Sequence, residues 1–559
     1  MTESDLEAPE LQEGGSFMDL LIRYQPHAIV FFSSACIMTI ELVAGRLIAR
    51  HLGSSLYTWT SIIAVVLAGM SIGNYIGGRM ADKRTPKELL GWLFMVSSMG
   101  CLSTLMINNI FARNAPLDSF SFPVRVFFSV LIIFILPALV LGTISPAAAK
   151  MALDRSKKVG ATIGSVYAWG AVGSIVGTLS TGFWFIALFG TRGVVMAVTM
   201  ALAVVGLVMG PRRLAHAAWV GLLVTILILS QTSLDLGKNL AFELGSKEGW
   251  KHCPAAGKDG KKKPCKWYEY PFAKEGNYQL VKVYDKTSET TGHDLKVLSL
   301  DYLIHGYIDP NDPTHLEYGY ERIYADLTHR LSGGKKELSA MFLGGGSYTL
   351  PRWLLSKYPK AKIDVAEIDP LVLEANHAAL GLPRNTPIKT ITMDARNVVD
   401  QLPPEKKYDL IYSDAFSDLS IPFHLTTLEF FQKLARHMTP RGAVLQNIID
   451  KWNDGKAGQR GGLMLAAHYN TLKQIFKHVY VLCTHRGGVG AGRETFVVVG
   501  TNHPMKVEDW GKGHTSDLTG SVIKELRMAS LVKVTGPRVL TDNDAPVENL
   551  LKPVVDSRK

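Results

Sequence analysis

Seven apolar runs of membrane-crossing length crowd the first 235 residues, near 27–48, 59–81, 88–110, 123–148, 160–189, 191–210 and 214–231. In hydrocarbon every backbone N–H and C=O must be paired inside the segment, so about 20 apolar residues in a row can only be a helix or part of a closed barrel. Runs of this length predict a multi-pass α-helical membrane domain of about seven spans. Short charged connectors separate them, such as Arg79–Arg84 and Lys150–Lys158. The stretch from Met1 to about Gln25 is acidic and lacks the basic start of a signal peptide, so it reads as a cytosolic tail.

Within the spans, Gly170, Gly173, Gly177 and Gly182 share one long run, and small residues at such spacing predict close helix packing rather than a re-entrant loop. Two polar residues fall inside apolar runs, Glu41 and Asn74. An ionisable group at that depth is costly unless paired. Arg46, five residues on, is its candidate partner, and a functional role for Glu41 is the alternative.

The second half is of a different kind. Residues 340–370 read AMFLGGGSYTLPRWLLSKYPKAKIDVAEIDP. An apolar strand (Met341–Leu343) runs into Gly344, Gly345 and Gly346, a helix-like segment follows, and a second strand (Ile363–Ala366) ends on Glu367. With an acid about 20 residues past the glycines, this is the strand–loop–helix–strand unit of a nucleotide-binding α/β fold. The glycines let the backbone approach a ligand, and the acid can accept both ribose hydroxyls. Further strands are predicted at 388–392, 408–413, 442–447 and 493–500, alternating with helices, which implies a doubly wound, mainly parallel sheet. Residues 266–335 read as a small β-rich domain followed by a helix. The domain plan is a tail (1–26), a transmembrane domain (27–232), a linker with a small β domain (233–335), a Rossmann-like nucleoside-binding domain of methyltransferase type (336–505) and a polar C-terminal extension (506–559).

The formal net charge of +11 does not point to nucleic acid. Much of it flanks the spans or sits in the run Lys258–Lys266, and no aromatic-basic RNA motif accompanies it. Of the five cysteines, Cys36 and Cys101 fall in spans and Cys483 in a strand-like segment. Cys253 and Cys265 bracket one hydrophilic loop, where a disulfide would require an oxidising compartment. No Cys or His spacing supports a metal site. The basic connectors 79–87, 150–158 and 211–213 lie on the side of the N-terminus; with seven spans this sets the second half outside the cytoplasm, away from most nucleoside metabolites. The side of the membrane therefore stays open, with a lean to the extracytoplasmic face.

Several segments carry a resemblance: NYQLVKVYD (277–285), LSLDYLIHG (298–306), FLGGGSYTL (342–350), VAEIDP (365–370), TMDARNVV (392–399) and YSDAFSDLSIPFHLTTLEFF (412–431). Together they resemble the polyamine aminopropyltransferase (spermidine synthase) family. With IELVAGRL, SIGNYIGGRMADK and LPALVLGTISPAAAK, the whole chain resembles the membrane-fused spermidine-synthase-like proteins of bacteria, which implies an inner-membrane location. The resemblance implies that Gln279, Gly344–Gly346, Ser347, Glu367 and Asp394 bind the sulfonium donor: Gln279 at its sulfur side, Glu367 on the ribose, Asp394 beside the adenine amine. It implies that Asp414 binds and deprotonates an attacking amine, with Asp418 as the runner-up, and that Tyr320 lines the acceptor channel. Asp394 and Asp414 have a second reading as helix caps.

Departures from the family pattern bear on substrate. Ser347-Tyr348 stands where the family has Asp-Gly, Leu300-Asp301-Tyr302 where it has LDG, His305 at the following glutamine, and Tyr320-Glu321-Arg322 at YHE or YQE. The acidic floor that grips a polyamine is thereby thinned, and His305 and Arg322 add potential positive charge. The donor is then either decarboxylated S-adenosylmethionine or S-adenosylmethionine itself, with no metal and with an amine or polyamine-like acceptor. The alternatives are a methyltransferase or a non-catalytic membrane protein with a nucleoside-binding domain. The resemblance also favours a homo-oligomer.

Overall fold

The computed structural model describes residues 17–52, 55–114, 117, 120, 122–156, 158–210, 249–252, 266–301, 303–416, 421–453, 455, 461–484, 492–505 and 522–555. The chain divides into two compact units, one helical and one built on sheets.

The helical unit contains α1 (Phe17–Leu52), α2 (Leu56–Ala81), α3 (Pro86–Asn114), α4 (Phe122–Gly142), α5 (Ile144–Leu153), α6 (Val159–Ser180) and α7 (Ile186–Met209). These supply six candidate spans, Ile22–Ala49, Leu56–Ala81, Pro86–Asn108, Pro123–Leu153, Val159–Phe185 and Leu188–Met209. The expected seventh, 214–231, lies outside the described residues, as do Cys253, Cys265 and Asp418. Close packing at glycine is realised at Gly170, Gly173 and Gly177. A Cβ on Gly177 would stand 2.5 Å from the Ala35 carbonyl, so α6 lies directly on the α1 backbone. Gly182 differs: nothing lies within 4 Å of its Cβ position, and it belongs to a π-helical turn, Thr181–Phe185, that joins α6 to α7. Glu41 is half-buried and makes no ion pair with Arg46, because five residues turn a helix by half a circle less about 40°. Asn74 is exposed on α2.

The sheet unit begins with paired strands β1 (Gly249–His252) and β2 (Lys266–Glu269). An antiparallel meander follows, β3 (Phe272–Glu275), β4 (Leu280–Thr287), β5 (Asp294–Leu300) and β6 (Leu303–Ile308), and then α8 (Gly319–Leu331). The remaining elements are β7 (Ser339–Leu343), α9 (Thr349–Lys357), β8 (Lys362–Glu367), α10 (Pro370–Ala378), β9 (Lys389–Thr392), α11 (Ala395–Asp400), β10 (Tyr408–Ser413), α12 (Leu428–Arg436), β11 (Met438–Lys451), α13 (Leu463–Lys473), β12 (His478–Cys483), β13 (Arg493–Thr501), β14 (Val522–Ile523), α14 (Glu525–Thr535) and α15 (Val547–Val555). Eight of the strands form one sheet in the order β14-β12-β13-β11-β10-β7-β8-β9. The pairs from β11 to β9 are parallel, and β13 is inserted antiparallel between β11 and β12.

Alternation along the strands sorts the core onto two faces. Ala340, Phe342, Leu410 and Tyr412 pack with Tyr324 of α8 and Leu354 of α9, whereas Met341, Leu343 and Ile411 pack with Phe430 and Phe431 of α12 and Leu465 of α13. The expected strands occur where the sequence places them. The C-terminal extension is more structured than its polarity suggests: Met528, Leu531, Leu550, Leu551 and Val554 join the second face, so α14 and α15 complete the core.

Candidate active site

Strand register fixes what the carboxyl edge of the large sheet presents. Leu343 of β7 pairs with Ala366 of β8 on one side and Ser413 of β10 on the other, and Ser413 pairs with Gln446 of β11. One residue further on, Glu367, Gly344, Asp414 and Asn447 stand in a row. From β7 the chain winds outward to β8 and β9, then crosses back to β10, so this row sits at the switch point where a doubly wound sheet opens a crevice.

Glycine is required at the centre of the row. Gly344 has φ +99°, and a Cβ there would stand 2.6 Å from the Asp414 carbonyl oxygen. The loop is tied to the acid beside it: the Gly345 N–H donates to Glu367 Oε2 at 2.8 Å, and the Asp369 N–H donates to Oε1 at 3.0 Å. Burial raises the Glu367 carboxyl above its ordinary range, and these main-chain donors oppose the rise. Asn376 of α10 donates to the Gly346 carbonyl at 2.8 Å and pins the loop from below. Gln279 lies in the β3–β4 turn, which closes through the Gly276 N–H to the Gln279 carbonyl at 3.0 Å. A Cβ on Gly276 would be 3.0 Å from Leu371, so the turn rests on the start of α10, four residues past Glu367.

Asp414 is the best-supported acid in the crevice. Its Oδ2 accepts from the Tyr320 hydroxyl at 2.9 Å and its Oδ1 from the Asn447 amide at 2.9 Å. Both oxygens are therefore engaged by side chains and neither caps a helix. Burial raises the carboxyl, and the two donors pull it back down. Tyr320 stands between Tyr318 and Tyr324, with ring centroids 5.5 and 5.6 Å away. Glu321 is 3% exposed, and burial with the nearby Asp414 charge pushes its carboxyl up to about 8.

Asp394 behaves as a helix cap, the second of its two readings. Its Oδ1 accepts from the N–H groups of Arg396 and Asn397 at 2.9 and 3.2 Å, and its Oδ2 lies 2.9 Å from His424 Nε2. A carboxylate offers about four acceptor sites, so one remains for a further donor.

Three expectations are corrected by position. Ser347 is 3% exposed, and its hydroxyl lies 2.6 Å from Thr349 Oγ1, under Gly306 of β6, rather than facing the crevice. Arg322 donates to the carbonyls of Leu316 and Glu317 at 3.0 and 2.8 Å, because two helical residues separate it from Tyr320 by about 200°. His305 is partly buried, and burial pushes its imidazole down to about 4, against the added positive charge expected there; its carbonyl lies against Gly346. Glu321, next to Tyr320, is buried as well, and its Oε2 accepts the Tyr318 N–H at 3.3 Å as part of a capping box at the start of α8. Asn447 and Asn376 escaped sequence reasoning, and Glu321 entered it only as the middle of a departing signature; for Asn447 the signal lay in strand order, which no local pattern carries. Among the described residues no group of three His, Cys, Asp or Glu is placed to share a metal ion.

Comparisons with known proteins agree with this half of the chain. Over 236 residues it is 28% identical to a probable polyamine aminopropyl transferase of Bifidobacterium longum, covering 39% of this chain and 50% of the relative. Over 145 residues it is 32% identical to the polyamine aminopropyltransferase of Vibrio vulnificus, covering 26% and 47%. The chain spans about half the length of these curated relatives. The solved structure of a probable spermidine synthase from Corynebacterium glutamicum matches with 20% identity and a TM-score of 0.41, covering 49% of this chain and 97% of that one. No protein-family model matches. Part of the chain is therefore similar in sequence to polyamine aminopropyltransferases, and among the described residues six helices are long and apolar enough to cross a membrane.

Proposed function

We propose that the chain is a membrane-anchored transferase that moves an aminopropyl-type group from an S-adenosylmethionine-derived sulfonium to an amine acceptor. The observation that carries this reading is Asp414, held by Tyr320 and Asn447 beside the glycine loop and Glu367. Glu367 takes the ribose hydroxyls, Gln279 faces the sulfur side of the donor, and the remaining acceptor site of Asp394 takes the adenine amine. Asp414 accepts a proton from the incoming amine, whose lone pair attacks the carbon next to sulfur. The C–S bond breaks, its electrons go to sulfur, and a neutral thioether nucleoside leaves. Because the sulfonium carbon is already electrophilic, positioning and deprotonation of the amine are the tasks left to the protein. The neighbouring rings of Tyr318 and Tyr320 beside Asp414 support a cationic acceptor.

Purified protein incubated with donor and amines separates the readings by product. Methylthioadenosine supports aminopropyl transfer, whereas S-adenosylhomocysteine assigns methyl transfer. Binding with no turnover of any sulfonium donor would leave a nucleoside-binding membrane protein. Span parity decides which donors the site meets: seven crossings set the sheet unit opposite the N-terminus, six on the same side. Labelling Cys253 and Cys265 in intact cells, before and after reduction, reads that parity.

A further inference from the structure

Glu41 has no place in the transferase reading. It sits about two-thirds of the way along α1, half-buried, inside the apolar span Ile22–Ala49 and in turns whose Ile40, Val43, Ala44 and Leu47 are all 4% exposed or less. Among the described residues it makes no hydrogen bond or ion pair. The polar pair nearest in sequence points elsewhere: Thr39 donates to the Ala35 carbonyl at 2.8 Å and receives the Thr181 hydroxyl at 3.0 Å, on the opposite side of α1. A carboxyl at this depth is expensive without a partner.

One turn along the same face lies Gly45, and the gap left by its missing side chain is filled by an indole. A Cβ on Gly45 would stand 2.7 Å from the Trp59 ring of α2, so glycine there is what allows the ring to lie against α1. Trp59 itself remains 39% exposed. The face therefore offers a carboxyl and, about 6 Å along the axis, an accessible aromatic surface.

We propose that Glu41 and Trp59 form a site for a primary ammonium in the helical unit. A hard metal cation would ask for six or more oxygen ligands, which no described cluster supplies. An ammonium asks for less: a carboxylate to accept its hydrogen bonds and a π-face to share its charge. The same headgroup chemistry comes from a water-borne diamine or from phosphatidylethanolamine. The site goes beyond the transferase reading and is read by binding rather than turnover, so either can fail without the other.

The test uses full-length protein carrying Asp414→Asn, which removes the acid assigned to amines in the sheet unit. It is reconstituted in phosphatidylcholine nanodiscs and titrated with putrescine; a parallel series adds phosphatidylethanolamine and follows thermal stability. Saturable putrescine binding assigns a diamine, and stabilisation by phosphatidylethanolamine alone assigns the lipid. In the responding arm Glu41→Gln is expected to weaken the response tenfold or more, and Trp59→Leu about two- to fivefold. Trp59→Leu leaves the carboxyl in place and reads the aromatic wall even where Glu41→Gln does not fold. No response to either amine, or wild-type affinity in the folded variants, overturns the site.

Discussion

The Tyr320 hydroxyl donates to Asp414 Oδ2 at 2.9 Å across 94 residues of sequence, joining the first turn of α8 to the end of β10. A phenol bonded to a carboxylate favours its ionised form against the rise that burial causes, and it occupies one of the lone pairs. This is the geometry a base needs if it must take a proton from an amine in a partly dry crevice.

Asp414→Asn is close to isosteric and is expected to lower turnover by about 10²–10⁴-fold, the usual worth of a general base. Affinity for methylthioadenosine should hold, because Glu367 and Asp394 carry that task. Tyr320→Phe and Asn447→Ala each remove a donor that lowers the Asp414 carboxyl. The acid limb of the pH–rate profile should therefore move to higher pH in both. Full activity in Asp414→Asn would shift the base elsewhere, first to Asp418.

An acid at a strand end is legible where a strand, a glycine turn and a second strand ending in that acid form a local pattern. Glu367 fits that pattern, whereas Asp394 and Asp414 were singled out by the resemblance to the aminopropyltransferase family. Asn447 was not legible, since its proximity to Asp414 depends on β11 lying beside β10. Arg322 was misplaced because a three-letter signature says nothing of helix phase, and Ser347 because no local pattern shows that Gly306 of β6 covers it. The six described spans follow from hydropathy alone, whereas the absence of a Glu41–Arg46 pair follows from helical angle.

Glu367→Gln tests the ribose assignment. It removes one charge-assisted acceptor, worth about 1.5–3 kcal/mol or roughly 10- to 150-fold in methylthioadenosine affinity. The variant should also loosen the glycine loop, since an amide accepts the Gly345 N–H through only one atom. Calorimetry with unchanged affinity would remove Glu367 from the nucleoside site.

Glu321 gives a pH dependence of stability. Its carboxyl is raised from near 4.5 to about 8 in the folded protein, by burial first and by Asp414 second. Between these values the folded state binds the proton and the unfolded state does not, so stability falls as pH rises from about 4.5 to 8 and is flat beyond. Glu321→Gln should abolish that slope and raise the melting temperature at pH 8 more than at pH 5. A variant that melts lower at pH 8 would mean that the ionised carboxylate is what the fold uses.

Ser347→Asp restores, in sequence, the acid found after the triple glycine in the family that the chain resembles, and the simplest expectation is a return of preference for the decarboxylated donor. The position of Ser347 argues otherwise. Its hydroxyl is enclosed by Thr349 and the Gly306 backbone, and Thr349 is itself committed to the Tyr307 carbonyl at 2.7 Å. An aspartate here would bury a carboxylate with no donor to receive it, against a strand that leaves no room for the larger side chain. Leaving such a charge unpaired costs several kcal/mol, more than attraction to a donor ammonium in the crevice could return. The variant should therefore melt well below the native protein and show no gain for the decarboxylated donor. The native loop, lacking an acid aimed at the donor, should let S-adenosylmethionine compete at least as well as its decarboxylated form. Competition binding on both proteins, read beside their melting curves, decides the matter: a stable Ser347→Asp protein that switches preference would place residue 347 in the donor site after all.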